Sequence, residues 1–258
     1  MDQLIVAHSV PSYLFMTGSW IYGQLINLKR FNPIVITNYL QNMDVFPFES
    51  VYSLNIQLRP SKKLLVKLYM KVIGNQQIMR KRLQYFEEIL NENRVFLLHS
   101  HFGDEGFRNL KLKQRLKIPM ITSFYGYDIS KLIKNPLWPY RYRRLFSEGE
   151  VFLVEGNYMK KSLVELGCPE EKVIVQHLGI DLEKIKFEPR KIGKDGKIKI
   201  LVAGSFREKK GIPYALMAFA RVKVKYDNLE LSLIGDSSGI SSDELEKNKI
   251  LNIIGICT

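Results

Sequence analysis

Residues 198–213 read Ile-Lys-Ile-Leu-Val-Ala-Gly-Ser-Phe-Arg-Glu-Lys-Lys-Gly-Ile-Pro, an apolar segment followed by a short basic loop. The apolar, β-branched start is typical of a buried strand, and Pro213 suits the first turn of a helix. One face of that helix carries the apolar residues Leu216, Phe219, Ala220 and Val224. A second strand follows in residues 229–236. The pattern predicts a β-α-β unit with parallel strands and a right-handed crossover.

The loop of this unit, residues 204–211, lies where an anion would bind. It follows the carboxyl end of one strand and precedes the amino end of a helix, and open α/β sheets bind ligands in that crevice. Backbone N–H groups and the helix dipole favour an anion there, and Arg207 and Lys210 add positive charge. A solvated basic loop explains the charges equally well, because Lys and Arg are common at exposed turns.

The order of strand, glycine, short loop, Lys-Gly, helix and a strand ending in Ile-Gly-Asp resembles the family 4 glycosyltransferases of the GT-B fold. In that family, an Arg and a Lys of this loop hold the diphosphate of the nucleotide-sugar donor. Lys210-Gly211 matches the family's Lys-Gly. The family's Arg directly follows the glycine, where this chain has Ser205, and Arg207 comes two residues later. The resemblance implies a donor site formed by Gly204, Ser205, Arg207, Lys210 and Gly211.

Composition narrows the class of partner. The 258 residues carry a net charge of +13, which indicates an anionic partner such as nucleic acid, a membrane surface or a phosphorylated substrate. No RNP, zinc-finger or KH motif supports nucleic-acid binding. The two cysteines, Cys168 and Cys257, form no CxxC and fit a reducing cytosol. The first residues lack a basic signal-peptide start, and no apolar run is long enough to span a bilayer. We expect a cytoplasmic protein, soluble or peripheral at the inner face of the plasma membrane.

A basic run suggests contact with an anionic membrane. Residues 62–90 have a helical pattern, and residues 59–82 contain no acid. The eight cations of this run are Arg59, Lys62, Lys63, Lys67, Lys71, Arg80, Lys81 and Arg82. A basic amphipathic helix can lie on anionic lipid. The alternative is an ordinary helix that packs on the sheet and exposes a solvated basic face, and the two interpretations are compatible.

A predicted strand at residues 95–98 continues into His99-Ser-His101. If the chain stays extended, both histidines point to the same side. Because no Asp, Glu or Cys lies at ligand spacing, we expect no metal site here. In family 4 enzymes, a strand ending in His-x-His, then a helix, an Ile-Pro, and a strand ending near Gly-x-Asp form the wall of the cleft between the domains. His99-Ser-His101, Ile118-Pro119 and Gly126-Tyr-Asp128 are similar to that order.

The resemblance assigns roles to several of these residues. It implies that His101 lines the cleft beside the reacting sugar, as a hydrogen-bond partner or base, and that Asp128 is a second catalytic candidate. An N-cap of the next helix is an equal alternative for Asp128. Many family members have His before the glycine, where this chain has Tyr125. The expected acceptor cleft comprises Gly18 and Ser19 of the first loop, which spans residues 8–20, together with Tyr125 and Gly126; a turn requirement also explains the glycine at 18.

Two domains are expected, a Rossmann-like acceptor-side domain at residues 1–189 and a donor domain at residues 190–258. A linker rich in Pro, Gly and Lys, residues 187–197, sets this boundary. The α/β GT-B architecture implied by the resemblance needs more β-α units after residue 236, and the family's two glutamates, eight residues apart, are absent. We therefore expect an incomplete second domain, a chain that is inactive alone, and a separate chain as a source of the missing part.

The resemblance implies a retaining hexosyltransferase that moves a sugar from a nucleotide-sugar to an acceptor. No carboxylate pair for a glycosidase-type double displacement is evident. The donor is a substrate, and neither a cofactor nor a metal ion is expected. Tyr125-Gly-Tyr-Asp128 and His177-Leu-Gly-Ile-Asp181 resemble the bacterial exopolysaccharide and colanic-acid type, whose acceptor is a saccharide or a lipid-linked saccharide. A non-catalytic acceptor- or membrane-binding module is the alternative. A dinucleotide oxidoreductase is disfavoured because GxGxxG is missing.

Overall fold

The structure is a computed structural model that describes residues 3–16, 18–54, 75–183, 185, 187–189, 191–192, 195–206 and 210–235. The chain divides into two compact units, Met1–Leu182 and Glu183–Thr258. Arg190 lies outside the described residues, and the domain boundary at that position stays a prediction.

The first unit is built on a parallel sheet of seven strands in the order β3-β2-β1-β4-β5-β6-β7. The strands are β1 (Ile5–Val10), β2 (Asn32–Thr37), β3 (Val51–Ser53), β4 (Leu97–His101), β5 (Met120–Phe124), β6 (Val151–Val154) and β7 (Val173–Val175). The order reverses between β1 and β4, which places a ligand crevice at the carboxyl ends of these two strands. The Rossmann-like prediction for this part of the chain is confirmed.

Helices cover both faces of this sheet. They are α1 (Ser19–Ile26), α2 (Asn75–Glu92), α3 (Gly103–Leu116), α4 (Tyr127–Ser130), α5 (Leu137–Glu148) and α6 (Asn157–Glu165). Along β2, Val35 packs in one core with Ile21 and Leu25 of α1. Ile34 and Ile36 point to the opposite face and pack in the larger core, which contains apolar side chains of α2, α3, α5 and α6. This alternation follows from the two-residue period of a strand.

An aromatic cluster fills the centre of the larger core. Phe124 of β5 meets Tyr142 of α5 at 5.5 Å between ring centroids, and Phe146 meets Phe152 of β6 at 5.2 Å. Both pairs are edge-to-face, an arrangement that adds stabilisation beyond burial of apolar area. The cluster fixes the position of β5 and, with it, the residues that follow Phe124.

One element boundary differs from the sequence-based expectation. Strand β1 continues to Val10, so His8 lies in a buried strand and not in the first loop. Helix α3 begins at Gly103, and its first turn carries the helix-favouring acids Asp104 and Glu105. Helix α6 ends at Glu165, shortly before Gly167, which has φ of +97°.

The second unit contains the predicted β-α-β fold. Strands β8 (Ile198–Ala203) and β9 (Leu229–Ile234) are parallel and flank helix α7 (Ile212–Lys223). Pro213 lies in the first turn of α7, as predicted. A small core forms between Ile212 and Leu216 of the helix and the apolar residues Val202, Phe206, Leu231 and Leu233.

The basic run of the sequence falls largely outside the structure. Its residues 59–74 are among those not described, and the described part of the predicted helix is α2. In the described residues, no helix has both the length and the apolar character needed to cross a membrane.

We expect Gly103→Ala to destabilise the first unit. A Cβ at this position would lie 2.3 Å from Phe124 Cε1 and 2.7 Å from the Tyr142 hydroxyl, so the aromatic cluster would have to shift. Overpacking of this kind costs about 1–3 kcal/mol. Urea unfolding measures the loss.

Gly23→Ala is the matched control. This glycine lies within α1, and no neighbouring side chain comes within 4 Å of the position that an added methyl group would take. Alanine is also the better helix former by roughly 0.5–1 kcal/mol. Equal destabilisation by the two variants would contradict a packing role for Gly103.

Candidate functional site

Polar side chains gather where the strand order reverses. His8 of β1 is the register partner of His99 of β4, and His101 is the partner of Ser123 of β5. Register partners in a parallel sheet project to the same face. All four side chains therefore lie on one side of the sheet, and the predicted same-side placement of His99 and His101 is confirmed.

The three histidines form one contact cluster. His8 Nδ1 lies 3.0 Å from His101 Nε2, and His101 Nδ1 lies 2.7 Å from the Tyr125 hydroxyl oxygen. His99 Nε2 lies 2.8 Å from Ser123 Oγ. All three rings are at least nine-tenths buried. No sequence motif points to His8, because its contact with His101 of β4 depends on strand pairing across 93 residues of sequence.

Burial keeps these imidazoles neutral. It lowers the pKa of His99 to about 4. Burial, followed by the neighbouring His99, holds the pKa of His8 well below its usual range, and the pKa of His101 is lowered by burial, His99 and His8. A group with so low a pKa is an inefficient base near neutral pH. The lowered pKa therefore favours a hydrogen-bonding role for His101 over proton abstraction.

Tyr125 covers the histidine cluster. Its ring stacks on His101 with centroids 5.9 Å apart, and it also contacts Phe102 at 5.0 Å and Trp20 at 5.8 Å. Burial raises the pKa of Tyr125 to about 12, so its hydroxyl stays protonated. The expected acceptor residues are thus brought together from two loops, because Trp20 directly follows Ser19 in α1.

The glycines of this predicted cleft have different roles. Gly126 follows Tyr125 with φ of +92°, a conformation that L-residues rarely adopt. Gly18 is the N-cap of α1 and is buried, and a Cβ there would lie 2.9 Å from Phe15 O. Ser19 is exposed. The turn requirement accounts for both glycines, and contact of these residues with an acceptor stays a prediction.

Asp128 connects two loops of the site. Its carboxylate accepts hydrogen bonds from Gly103 N at 3.0 Å and from Tyr125 N at 3.1 Å, and it is fully buried. The N-cap of α4 is Gly126, so the N-cap interpretation of Asp128 is wrong. The carboxylate instead holds the first N–H of α3, on the neighbouring loop. Burial, opposed by these N–H groups, raises the pKa of Asp128 to about 6. A catalytic role for Asp128 stays a prediction.

A strained residue precedes α3 at the same edge. Phe102 has φ of 79° and ψ of 142°, a region of the backbone map that is largely restricted to glycine. Its N–H donates to Ser123 O at 2.8 Å. Strain of this kind costs of order 1–3 kcal/mol and persists where several surrounding contacts hold the residue in place. The link to Ser123 places the Phe102 ring against Tyr125.

A polar network lies on the opposite face of the sheet. Arg82 of α2 forms a buried ion pair with Glu105 of α3 and donates to Asn109 Oδ1 at 2.9 Å. Ser9 Oγ of β1 donates to Glu105 Oε1 at 2.8 Å. Burial alone would raise the pKa of Glu105, but the charges of Arg82 and, less strongly, Arg108 bring that pKa below its usual value. Arg82 was counted in the basic run, and its burial removes it from any lipid-facing surface.

The donor loop is described in part. Gly204 N donates to Ile234 O at 2.8 Å, and a Cβ on Gly235 would lie 1.9 Å from Gly204 O, so the two strand ends approach closely. Lys210 is exposed beside Gly211, the left-handed N-cap of α7 with φ of +69°. Ser205 is half-buried. Arg207 lies outside the described residues.

The raised pKa of Asp128 predicts a pH-dependent stability. Between pH 4 and 6 the folded protein keeps a proton that the unfolded chain releases, so the contribution of Asp128 to stability falls as pH rises through this window. A shift of about two pKa units corresponds to about 3 kcal/mol at most. We expect the free energy of unfolding of the wild type, minus that of Asp128→Asn, to fall by about 2–3 kcal/mol between pH 4 and 7.

Urea unfolding across this pH range measures the difference, and Asp227→Asn serves as the matched loss of one exposed carboxylate. A difference that rises with pH would contradict the prediction, because it would mean that the N–H groups hold an ionised carboxylate.

Sequence comparison identifies related proteins. The family named Glycosyltransferase Family 4 matches residues 58–184. The amylovoran biosynthesis glycosyltransferase AmsK of Erwinia amylovora is 32% identical over 146 residues, which are 55% of this chain and 34% of AmsK. WcaL of Escherichia coli (strain K12), provisionally assigned as a colanic acid biosynthesis glycosyltransferase, is 30% identical over 128 residues, 48% of this chain and 31% of WcaL. The match spans about a third of the length of these relatives.

Structural comparison extends over nearly the whole chain. HepE (Alr3699) of Anabaena, solved in complex with UDP and glucose, aligns with a TM-score of 0.70 at 13% sequence identity. The alignment covers 99% of this chain and 66% of HepE. At this identity the likeness establishes the fold alone. The chain therefore has the fold of the GT-B glycosyltransferases, and its residues 58–184 are similar to Glycosyltransferase Family 4.

Proposed function

We propose that this chain is part of a retaining glycosyltransferase that moves a sugar from a nucleotide-sugar to a saccharide or lipid-linked acceptor in cell-surface polysaccharide synthesis. The observation that carries the proposal is the β8-loop-α7 arrangement, which presents Lys210 and the start of a helix at the carboxyl end of a parallel strand. AmsK and WcaL, named for exopolysaccharide synthesis, support the biological setting.

The start of α7 suits a diphosphate. Ala215 N donates to Gly211 O at 3.0 Å, so the N–H groups of Ile212 and Tyr214 precede the hydrogen-bonded turns of the helix. Pro213, between them, has no N–H. Gly211, the N-cap residue, has no side chain to cap the helix, and Lys210 adjoins it. Such donors stabilise the charge that develops on a departing diphosphate, and the UDP bound to HepE supports a ligand of this chemistry.

The histidine and aromatic cluster is the proposed acceptor side. His101 is buried behind Tyr125, whose hydroxyl it contacts. We assign to Tyr125 the contact with the acceptor and to His101 the orientation of the Tyr125 hydroxyl. Trp20 adds a second aromatic surface, and its buried Nε1 has no hydrogen-bond partner in the described part of the chain. A saccharide hydroxyl is a suitable acceptor for that N–H.

Calorimetry with UDP tests the donor site. We expect the chain to bind UDP and Lys210→Ala to lose one charged hydrogen bond, at a cost of roughly 1.5–3 kcal/mol. That corresponds to roughly a 10- to 150-fold weaker affinity. Lys225→Ala is the control, because it removes an exposed cation from beyond the opposite end of α7.

Two results would count against the donor site, namely no UDP binding by the wild type and equal affinity of the Lys210 and Lys225 variants. The alternative of a non-catalytic acceptor- or membrane-binding module predicts acceptor binding without nucleotide binding, and the same titrations with saccharide acceptors distinguish it.

We further propose that the protein is peripheral at the inner face of the membrane. The acid-free basic run supports this, and Arg80 and Lys81 are exposed at the start of α2. Each such cation near an anionic membrane surface contributes about 1 kcal/mol to the free energy of binding, and salt screens this attraction. The chain should float with anionic vesicles at low salt and dissociate at high salt.

The triple variant Lys62→Gln, Lys63→Gln, Lys67→Gln should lose this flotation. The control variant Lys199→Gln, Arg221→Gln, Lys225→Gln removes the same charge from exposed positions of the second unit and should float like the wild type. Equal recovery of the wild type with neutral and anionic vesicles would leave the solvated basic face as the explanation.

A further inference from the structure

We propose that His8, His99 and His101 form a binding site for a divalent late first-row transition-metal ion, with Zn²⁺ as the reference ion. Within the part of the chain that the structure describes, one potential ligand nitrogen from each residue lies within 4.8 Å of the others. The proposal is independent of the proposed sugar transfer, which requires no metal ion in this cluster.

The spacing is close to that of a metal site. Zinc binds histidine nitrogens at about 2.0–2.1 Å in a tetrahedral arrangement, which places ligand atoms about 3.3 Å apart. His8 Nδ1 and His101 Nε2 are already 3.0 Å apart, and the His99 and His101 rings are stacked with centroids at 4.4 Å. Rotation of the rings is what would bring the three nitrogens, now within 4.8 Å of one another, to face one ion.

The outer ring nitrogens of two ligands already have oxygen partners. His101 Nδ1 contacts the Tyr125 hydroxyl at 2.7 Å, and His99 Nε2 contacts Ser123 Oγ at 2.8 Å. Metal-binding histidines almost always donate their second N–H to such an oxygen, which fixes the tautomer and the orientation of the ring. These contacts leave His101 Nε2 and His99 Nδ1 for the ion.

The ring of His8 can provide the third ligand nitrogen. His8 Nε2 is buried and has no hydrogen-bond partner among the described residues. When the neutral ring carries its proton on Nε2, the Nδ1 lone pair is free to bind an ion together with His101 Nε2. The ion then replaces the proton that lies between His8 Nδ1 and His101 Nε2 in the metal-free protein.

The donor set selects the class of ion. Three neutral imidazoles suit Zn²⁺, Co²⁺, Ni²⁺ and Cu²⁺, whereas Mg²⁺ and Ca²⁺ prefer oxygen ligands. Three protein ligands leave a fourth position for water. The expectation of no metal site rested on the absence of Asp, Glu or Cys at ligand spacing from His99 and His101, and His8 supplies a third ligand from another strand.

Metal titration of the purified, chelator-treated chain tests the proposal. We expect one Zn²⁺ per chain by calorimetry, competition by Co²⁺, and visible d–d absorption of the Co²⁺ form without thiolate charge-transfer bands. These titrations use the Cys257→Ser variant, which lacks a thiol in a part of the chain outside the described residues. The wild type should bind Zn²⁺ with the same affinity. Mg²⁺ should not compete.

Variants assign the ligands. Ser123→Ala leaves all three ligands in place and should weaken Zn²⁺ binding roughly 10- to 100-fold, as loss of an outer-shell partner does. His99→Gln should weaken it further. His177→Gln is the matched control, since His177 is the fourth histidine of the sequence and is exposed. Circular dichroism confirms that each variant is folded.

Three outcomes would overturn the proposal: no Zn²⁺ binding by the folded wild type, loss of binding in His177→Gln, or unchanged affinity in folded Ser123→Ala and His99→Gln. UDP binding, measured on the same samples, separates this result from the proposed function, because the donor loop contains none of these residues.

Discussion

The buried ion pair between Arg82 and Glu105 is the contact on which the arrangement of the first unit depends. It joins α2 to α3, and through Ser9 it reaches β1 at the point where the strand order reverses. Asn109 extends the network to Ser100 of β4 with a hydrogen bond of 2.9 Å. Loss of one partner of such a pair leaves an uncompensated buried charge. The register of β1 against β4 is therefore tied to two helices at once.

The same two strands serve two purposes because side chains alternate across a strand. Ser9 and Ser100 point to the ion-pair network, whereas His8 and His99 point to the opposite face. A slip of one residue would exchange the two faces and place the histidines against Arg82. The polar network thus specifies the register that assembles the histidine cluster.

Sequence patterns predicted those features that depend on local spacing. The β8-α7-β9 unit and the common side of His99 and His101 follow from helix and strand periodicity. His8 was missed because its role arises from pairing with a strand about ninety residues away. The link from the Asp128 carboxylate to Gly103 N was missed for a similar reason, since Gly103 belongs to another loop. Contacts distant in sequence leave no periodic signal in a single chain.

The loops at the carboxyl edge have little freedom, and this bears on how the site can work. Phe102 is held in a strained conformation by its N–H bond to Ser123, and Asp128 fixes the next residue, Gly103. The close approach of Phe124 to Gly103 prevents a larger residue there. Tyr125 is therefore positioned from below by His101 and from the side by Phe102. For the acceptor proposed above, such preorganisation offers a surface already ordered, so that little binding energy would be spent on rearranging these loops.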